Sequence, residues 1–124
     1  MYFRDFVNFK LNELYSNIVS KNYISNFFQR SILHYAICLE ISYESNNGGI
    51  AYETLCSRIP NLIGSRSSIQ TVLNHGVKCN CFEKTTNKLD KRVKKYILSR
   101  DSSVVLTNWF VDQKEFLLKW LTII

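Results

Sequence analysis

One stretch of this 124-residue chain carries polar side chains spaced as one face of a helix. The apolar residues between them recur at i, i+3, i+4, i+7 and i+8 from Ile69, which is the spacing of a helix with one buried face. The polar face has no carboxylate, although a solvated helix face usually mixes acids with bases. Short hydrogen-bonding groups and cations without acids suit a polyanion and the edges of nucleic-acid bases. The face consists of Arg66, Ser67, Gln70, Thr71, Asn74 and Lys78.

Positive charge is concentrated around this stretch. Residues 61–100 hold nine Lys or Arg against two acids, whereas residues 1–60 hold five of each. Residues 101–124 have a net charge of −1, so most of the total of +6 belongs to the central segment. A localised basic segment indicates a surface for an acidic partner, because charge that served only solubility would be spread along the chain. The alternative is a solvated basic loop.

The polar face belongs to the second helix of a predicted helix-turn-helix. A short helix over 51–59 ends at Pro60, because the residue before a proline avoids helical backbone angles. After a turn that contains a glycine, Ser65 or Ser67 caps a longer helix that extends to residue 78. Short helix, turn and longer helix is the order of a helix-turn-helix.

A β-hairpin and three flanking helices complete the prediction. Residues 82–86 and 92–98 are typical of two strands, which would form a wing directly behind the helix-turn-helix. Amphipathic patterns predict an N-terminal helix over 3–19 and one continuous helix over 23–43 that is apolar on two sides. A last helix is predicted over 102–123, capped by Asp101 or Ser102.

The wing segment resembles a known family. Asp90-Lys91-Arg92, followed by Tyr96-Ile97-Leu98-Ser99, resembles the D-x-R wing of MarR-type winged-helix transcription regulators. Residues 50–99 are similar to the DNA-binding core of that family. The resemblance implies a mostly helical α+β fold, a winged helix-turn-helix with flanking N- and C-terminal helices. It also implies that Asp90 organises the wing and that Arg92 contacts the minor groove or its phosphates.

The resemblance and the polar face together predict how the chain would contact DNA. The helix over 65–79 would enter the major groove, where Arg pairs with guanine and Gln or Asn with adenine. The wing over 84–95 would lie on the backbone or in the minor groove. An ordinary solvated face remains the alternative for Arg66 and Gln70. The predicted contacts are Ser65, Arg66, Ser67, Ser68, Gln70, Thr71, Asn74, Lys78, Lys84, Lys88, Lys91, Arg92 and Lys94.

The length and composition predict a single folded domain over residues 1–124. Within it, residues 1–43 and 101–124 are predicted to support dimerisation, and residues 50–99 to bind DNA. The aromatic residues of the two termini predict a dimer interface, although they would also serve a monomer core. An apolar cleft between the helical ends and the winged helix would suit a small-molecule effector. The terminal aromatics are Phe3, Phe6, Phe9, Trp109, Phe110 and Trp120.

Other classes of protein find less support in the sequence. Neither His34 nor His75 is paired with a nucleophile at a spacing typical of a catalytic site. No catalytic motif is present, so we expect that the chain is not an enzyme. Cys79-Asn80-Cys81 has no second ligand pair nearby, so we expect no zinc site and no cofactor. No signal peptide or membrane-spanning apolar run is apparent, which predicts a cytoplasmic protein without a membrane partner.

The sequence therefore leaves three functions open. The first is a sequence-specific double-stranded DNA-binding regulator, most simply a dimeric repressor. The second is a winged-helix adaptor that docks on another protein in a transcription or replication complex. The third is a non-specific nucleic-acid-binding accessory protein. The varied polar face favours the first, because an adaptor more often presents large apolar side chains and phosphate binding alone needs only Lys and Arg.

Overall fold

A computed structural model describes residues 2–19, 22–86 and 92–123 of the chain. Within these ranges it has six α-helices and a three-stranded antiparallel sheet. The predicted fold, a mostly helical winged helix-turn-helix with flanking helices, is confirmed. The elements are α1 (Tyr2–Val19), α2 (Tyr23–Phe28), α3 (Ile32–Tyr43), β1 (Ile50–Ala51), α4 (Tyr52–Arg58), α5 (Arg66–Lys78), β2 (Phe82–Thr86), β3 (Lys94–Leu98) and α6 (Arg100–Ile123).

The sheet has the strand order β1-β3-β2. Ile50 of β1 lies opposite Tyr96 of β3, and β2 pairs with β3 from Phe82 opposite Leu98 to Thr86 opposite Lys94. The β2–β3 hairpin is the predicted wing. Its second strand begins at Lys94 instead of residue 92. The predicted linker over 87–91 lies outside the described residues.

The predicted continuous helix over 23–43 is wrong, because the chain forms two helices there. Ser31 takes an extended conformation with φ −156° and ψ 167°, and its hydroxyl accepts a hydrogen bond from the His34 N–H at 3.2 Å. A serine that caps a new helix competes with continuation of the old one. Because of the break, α2 ends at Phe28, and the side chains of Phe27 and Phe28 are both buried in the core.

The cap of the last helix also differs from the prediction. The hydroxyl of Ser99, which is buried, accepts a hydrogen bond from the Ser102 N–H at 3.1 Å, so α6 begins at Arg100. Neither Asp101 nor Ser102 is therefore the capping residue. The sequence did not identify the capping residue clearly, because several Ser and Asp residues that could cap a helix occur close together at this point.

Gly76 marks a close contact between α5 and the rest of the core. A Cβ atom built at this position would overlap the ring of Phe82 and lie 3.1 Å from Cζ of Phe27. Phe82 is fully buried, with its ring centroid 5.5 Å from that of Phe27 and 6.3 Å from that of Phe28. The absence of a side chain at Gly76 therefore lets α5 lie directly on the start of β2.

We expect Gly76→Ala to lower the free energy of unfolding by about 1–3 kcal/mol, since an overpacked core forces rings from their preferred positions. Alanine is the better helix former by about 1 kcal/mol, so steric overlap must outweigh that gain. Urea unfolding measures the change. Asn74→Ala, at an exposed position of the same helix, is the control and should not destabilise the protein. Equal or greater stability of Gly76→Ala would contradict the packing argument.

Candidate nucleic-acid interface

The centre of the exposed face of α5 is a row of four polar residues. Ser67, Thr71, Asn74 and Lys78 follow one another at intervals of three or four residues, and all are exposed. With about 100° of rotation per residue, this row lies opposite the buried side chains of the helix. The buried side chains are those of Ile69, Val72 and Leu73. We name the four exposed residues the central row.

Within this surface, side chains also hydrogen-bond one another. The amide nitrogen of Gln70 donates to Oδ1 of Asn74 at 2.8 Å, and the hydroxyl of Thr71 donates to the carbonyl of Ser67 at 2.9 Å. An amide pair at i and i+4 steadies both side chains on an exposed helix. The pair leaves the Asn74 amide nitrogen and the Gln70 carbonyl oxygen as groups that can meet a base edge.

One flank of the central row is occupied by an ion pair that the sequence did not predict. Nη2 of Arg66 lies 2.6 Å from Oε1 of Glu53 on α4, and the Arg66 guanidinium lies 5.3 Å from the centre of the Tyr52 ring. The Tyr52 hydroxyl donates to the Arg66 carbonyl at 2.9 Å. The hydrogen bond that Arg66 donates to the Glu53 carboxylate raises the pKa of Arg66. Arg66 is therefore held against α4, and a carboxylate borders the otherwise acid-free face.

The other flank carries a cation that the sequence analysis missed. Nη1 of Arg30, between α2 and α3, lies 3.2 Å from Nδ1 of His75 on α5, and its guanidinium lies 5.8 Å from the centre of the Phe27 ring. The continuous helix predicted over 23–43 concealed this position. His34 also packs edge-on against Phe27, and burial, followed by the charge of Arg30, lowers the pKa of His34.

Serines surround the start of α5. The Ser65 hydroxyl accepts a hydrogen bond from the Ser68 N–H at 3.2 Å, so Ser65 and not Ser67 is the cap. Oγ of Ser65 also lies 3.1 Å from Oγ of Ser67 and 3.0 Å from Oγ of Ser68. The helix dipole makes this end partially positive, which favours an approaching phosphate.

The wing presents its described cations mainly on one face. Lys84 lies opposite Tyr96, and its Nζ is 5.8 Å from the centre of that ring. Lys94 is two residues from Tyr96 on the same strand, so it shares this face with Lys84. Lys95 points to the opposite face and is partly buried, whereas Arg92 is exposed. The predicted residues Lys88, Asp90 and Lys91 lie outside the described residues.

The terminal helices pack on each other and still expose apolar surface. Phe9 of α1 stacks on Phe116 of α6 with 4.4 Å between ring centroids. Phe3 nevertheless remains 80% exposed, and Leu14 and Leu118 are about half exposed. The side chain of Trp120 lies outside the described residues. Some of the terminal aromatic residues therefore make contacts within the chain, whereas others belong to an exposed apolar surface.

A groove lies between the start of α2 and α6. It has a volume of about 480 Å³, and Tyr23, Asp101 and Val105 are among its lining residues. Among the described residues, no cluster of three or more His, Cys, Asp or Glu side chains is placed to hold a metal ion. None of the described helices combines the length and hydropathy needed to cross a bilayer.

Comparison with known proteins identifies the fold. No protein-family model and no curated protein matches the chain. The YusO protein from Bacillus subtilis has a similar structure, with a TM-score of 0.61 and 13% identity over 99% of this chain and 75% of that chain. FabT of Streptococcus pneumoniae, solved in complex with DNA, has a TM-score of 0.53 and 14% identity over 98% and 82% of the two chains.

A third similar structure carries the name of the family that the wing sequence resembles. The MarR family transcription regulator SP03579 has a TM-score of 0.52 and 16% identity over 91% of this chain and 78% of that chain. At sequence identities this low, the similarity shows that the proteins share a fold. The helix-turn-helix, the β2–β3 wing and the flanking helices thus form the winged-helix fold of MarR-type regulators.

Proposed function

We propose that this chain is a sequence-specific transcriptional regulator that binds double-stranded DNA, most simply as a dimeric repressor. The central row of α5 is the observation that carries the proposal. It presents hydroxyl, amide and ammonium groups without an acid on the exposed face of the second helix of a helix-turn-helix. The DNA complex of FabT, whose fold is similar, supports the same use of this fold.

In the proposed complex α5 lies in the major groove. Asn74 suits adenine through its amide, held by Gln70, and Thr71 contacts either a base edge or a thymine methyl group. Lys78 and the hydroxyls of Ser65, Ser67 and Ser68 contact phosphates, which fixes the position of the helix on the duplex.

Arg66 needs a rearrangement before it can contact guanine. Its guanidinium is bound to Glu53 and stacked near Tyr52, so pairing with a base requires that the ion pair opens. Because this pair is exposed, opening it costs little. We propose that Glu53 positions Arg66 and weakens its contact with DNA, whereas Arg30, held against His75, adds positive charge on the opposite flank.

The wing cations would follow the DNA backbone. Lys84, Lys94 and Arg92 would contact phosphates or the minor groove, together with Lys88 and Lys91, and Asp90 would organise the wing. These contacts depend on charge and not on base sequence, so they supply affinity rather than specificity.

A second copy of the chain would complete the regulator. Residues 1–43 and 101–124 would form the dimer interface, since α1 and α6 expose apolar side chains such as Phe3 and Leu118. A two-fold dimer places two copies of residues 50–99 on half-sites about one helical turn apart. The groove between α2 and α6 is the place where an effector would act on this arrangement.

A winged-helix adaptor is the second candidate function. Leu62, in the turn of the helix-turn-helix, is fully exposed, and Ile32 at the start of α3 is 76% exposed. Exposed apolar side chains near a helix-turn-helix suit a protein partner. The polar and cationic character of the central row favours DNA instead.

Selection from a pool of random duplexes at several salt concentrations tests the proposal. A regulator should enrich particular sites, and about six phosphate contacts predict a log–log salt slope near −5. A steep slope without enrichment would indicate a non-specific binder. Absence of duplex binding at low salt would favour the adaptor and contradict the proposal.

Substitutions should separate base contacts from phosphate contacts. We expect Asn74→Ala to change which sites are enriched, with a loss of about 1–3 kcal/mol on the preferred site. Lys84→Ala and Arg92→Ala should weaken all duplexes alike and make the salt slope shallower by about one unit each. Fluorescence anisotropy with selected and scrambled duplexes measures both effects. A uniform loss from all three variants would contradict the assigned roles.

Removal of the Glu53 carboxylate should release Arg66. We expect Glu53→Gln to raise affinity for duplexes and to increase the preference for guanine in the selected sites, because Arg66 then meets the DNA without an internal competitor. Glu115→Gln, an exposed site on α6, adds the same net charge and controls for long-range attraction. If both variants bind DNA alike, the Glu53 ion pair has no role in recognition.

Two substitutions at Ser65 should separate helix capping from phosphate binding. Ser65→Ala loses the hydrogen bond to the Ser68 N–H and should lower the free energy of unfolding by about 1 kcal/mol. Ser65→Asp keeps a cap but places an anion where the phosphate would bind, so it should retain stability and lose affinity. Urea unfolding and anisotropy report the two properties. Tight DNA binding by Ser65→Asp would remove this end of α5 from the interface.

A further inference from the structure

The end of α5 brings two cysteines together through its backbone geometry. The N–H of Asn80 donates to the carbonyl of Val77 at 3.2 Å, and the N–H of Cys81 donates to that of Gly76 at 2.8 Å. Asn80 lies in the left-handed region with φ 63°. These are the two bonds and the backbone turn of a Schellman motif. The cap residue, Cys79, and Cys81 therefore flank one left-handed residue.

The two thiols are in contact. Sγ of Cys79 lies 3.4 Å from Sγ of Cys81, and both cysteines are free. Cys79 is partly exposed, whereas Cys81 is buried at the start of the wing. A covalent disulfide needs about 2.0 Å between the sulfur atoms, so a shift of little more than 1 Å joins them.

The surroundings give the two thiols different roles. Burial, followed by the hydrogen bond between Cys81 and Cys79, raises the pKa of the Cys81 thiol to about 12. Cys81 is therefore a protonated thiol at neutral pH. Cys79 is the member of the pair that solvent reaches first.

We propose that Cys79 and Cys81 are a modification site, which a low-molecular-weight disulfide oxidises reversibly to an intramolecular disulfide that weakens DNA binding. The effect on DNA rests on the proposed function, whereas formation of the bond does not. The pair lies at the junction of α5 and β2, so one covalent bond would act on both predicted DNA-binding elements.

The chemistry is a two-step thiol–disulfide exchange. Cys79 loses its proton to solvent, and its thiolate attacks one sulfur of the small disulfide, which forms a mixed disulfide and releases a small thiolate that takes up a proton. Cys81 then loses its proton to solvent and attacks the Cys79 sulfur, which breaks the mixed disulfide and releases the second small thiol. Both protein thiols are oxidised to one disulfide, and one small disulfide is reduced to two thiols. Proximity within one turn favours the second step.

The new bond would distort the end of α5. The N–H of Cys79 donates to the carbonyl of His75 at 3.0 Å, and Cys81 anchors the turn to Gly76, so drawing the sulfur atoms together strains these bonds. Lys78 of the central row directly precedes this turn. We therefore expect oxidation to move a predicted phosphate contact and to lower affinity.

Glutathione buffers of increasing disulfide content test the bond directly. After alkylation of free thiols under denaturing conditions, trypsin releases residues 79–84 as one peptide, because Lys78 and Lys84 border it. In reducing buffer this peptide should carry two alkyl groups. In oxidising buffer it should carry none and be lighter by two hydrogen atoms than the unmodified dithiol. Retention of both alkyl groups, or bound glutathione alone, in the most oxidising buffer would overturn the proposal.

Matched variants and a DNA readout complete the experiment. Cys56→Ser, at a partly buried cysteine of α4, should oxidise like the natural chain, whereas Cys79→Ser should form no disulfide in this peptide. Oxidised protein should bind its duplex several-fold more weakly, reversibly with dithiothreitol, and Cys79→Ser should not respond. An unchanged affinity of the oxidised protein would overturn the regulatory part. If reduced protein binds no duplex, the proposed function fails while the peptide result still decides the bond.

Discussion

The contact between a glycine and two aromatic rings fixes the arrangement of this molecule. Gly76 allows α5 to lie on Phe82 at the start of β2, and Phe27 packs on the same ring from α2. These rings are buried, so a shift of either element opens a cavity or forces overlap. The relative position of α5 and the wing therefore depends on this contact, and a binding surface that combined the two elements would depend on it too.

The sequence predicted those elements whose pattern is local. The apolar spacing of α5 predicted its buried face, and the predicted strand over 82–86 has the bounds of β2 although its side chains alternate imperfectly. The continuous helix over 23–43 was wrong because the apolar pattern persists through Arg30 while the cap at Ser31 interrupts the backbone. The spacing of apolar residues indicates which side chains are buried, and α2 and α3 both have buried side chains. The spacing therefore did not reveal the break between them.

The electrostatic surroundings of the central row were beyond sequence reasoning. Glu53 reaches Arg66 only because α4 packs beside α5, and Arg30 reaches His75 only because α2 ends against the same helix. Both pairs join residues more than ten positions apart, so no short motif records them. The composition of the face was predictable, but the charges that border it were set by tertiary packing.

The strand order determines which strands form the edges of the sheet, where strands of other copies of the chain could add. With β3 in the centre, the sheet ends in β1, which is only two residues long, and in β2, whose Glu83 and Lys84 are exposed. Short edge strands and charged side chains on edge strands both discourage the addition of further strands from neighbouring chains. The described strands of the hairpin are thus protected from seeding fibrillar aggregation.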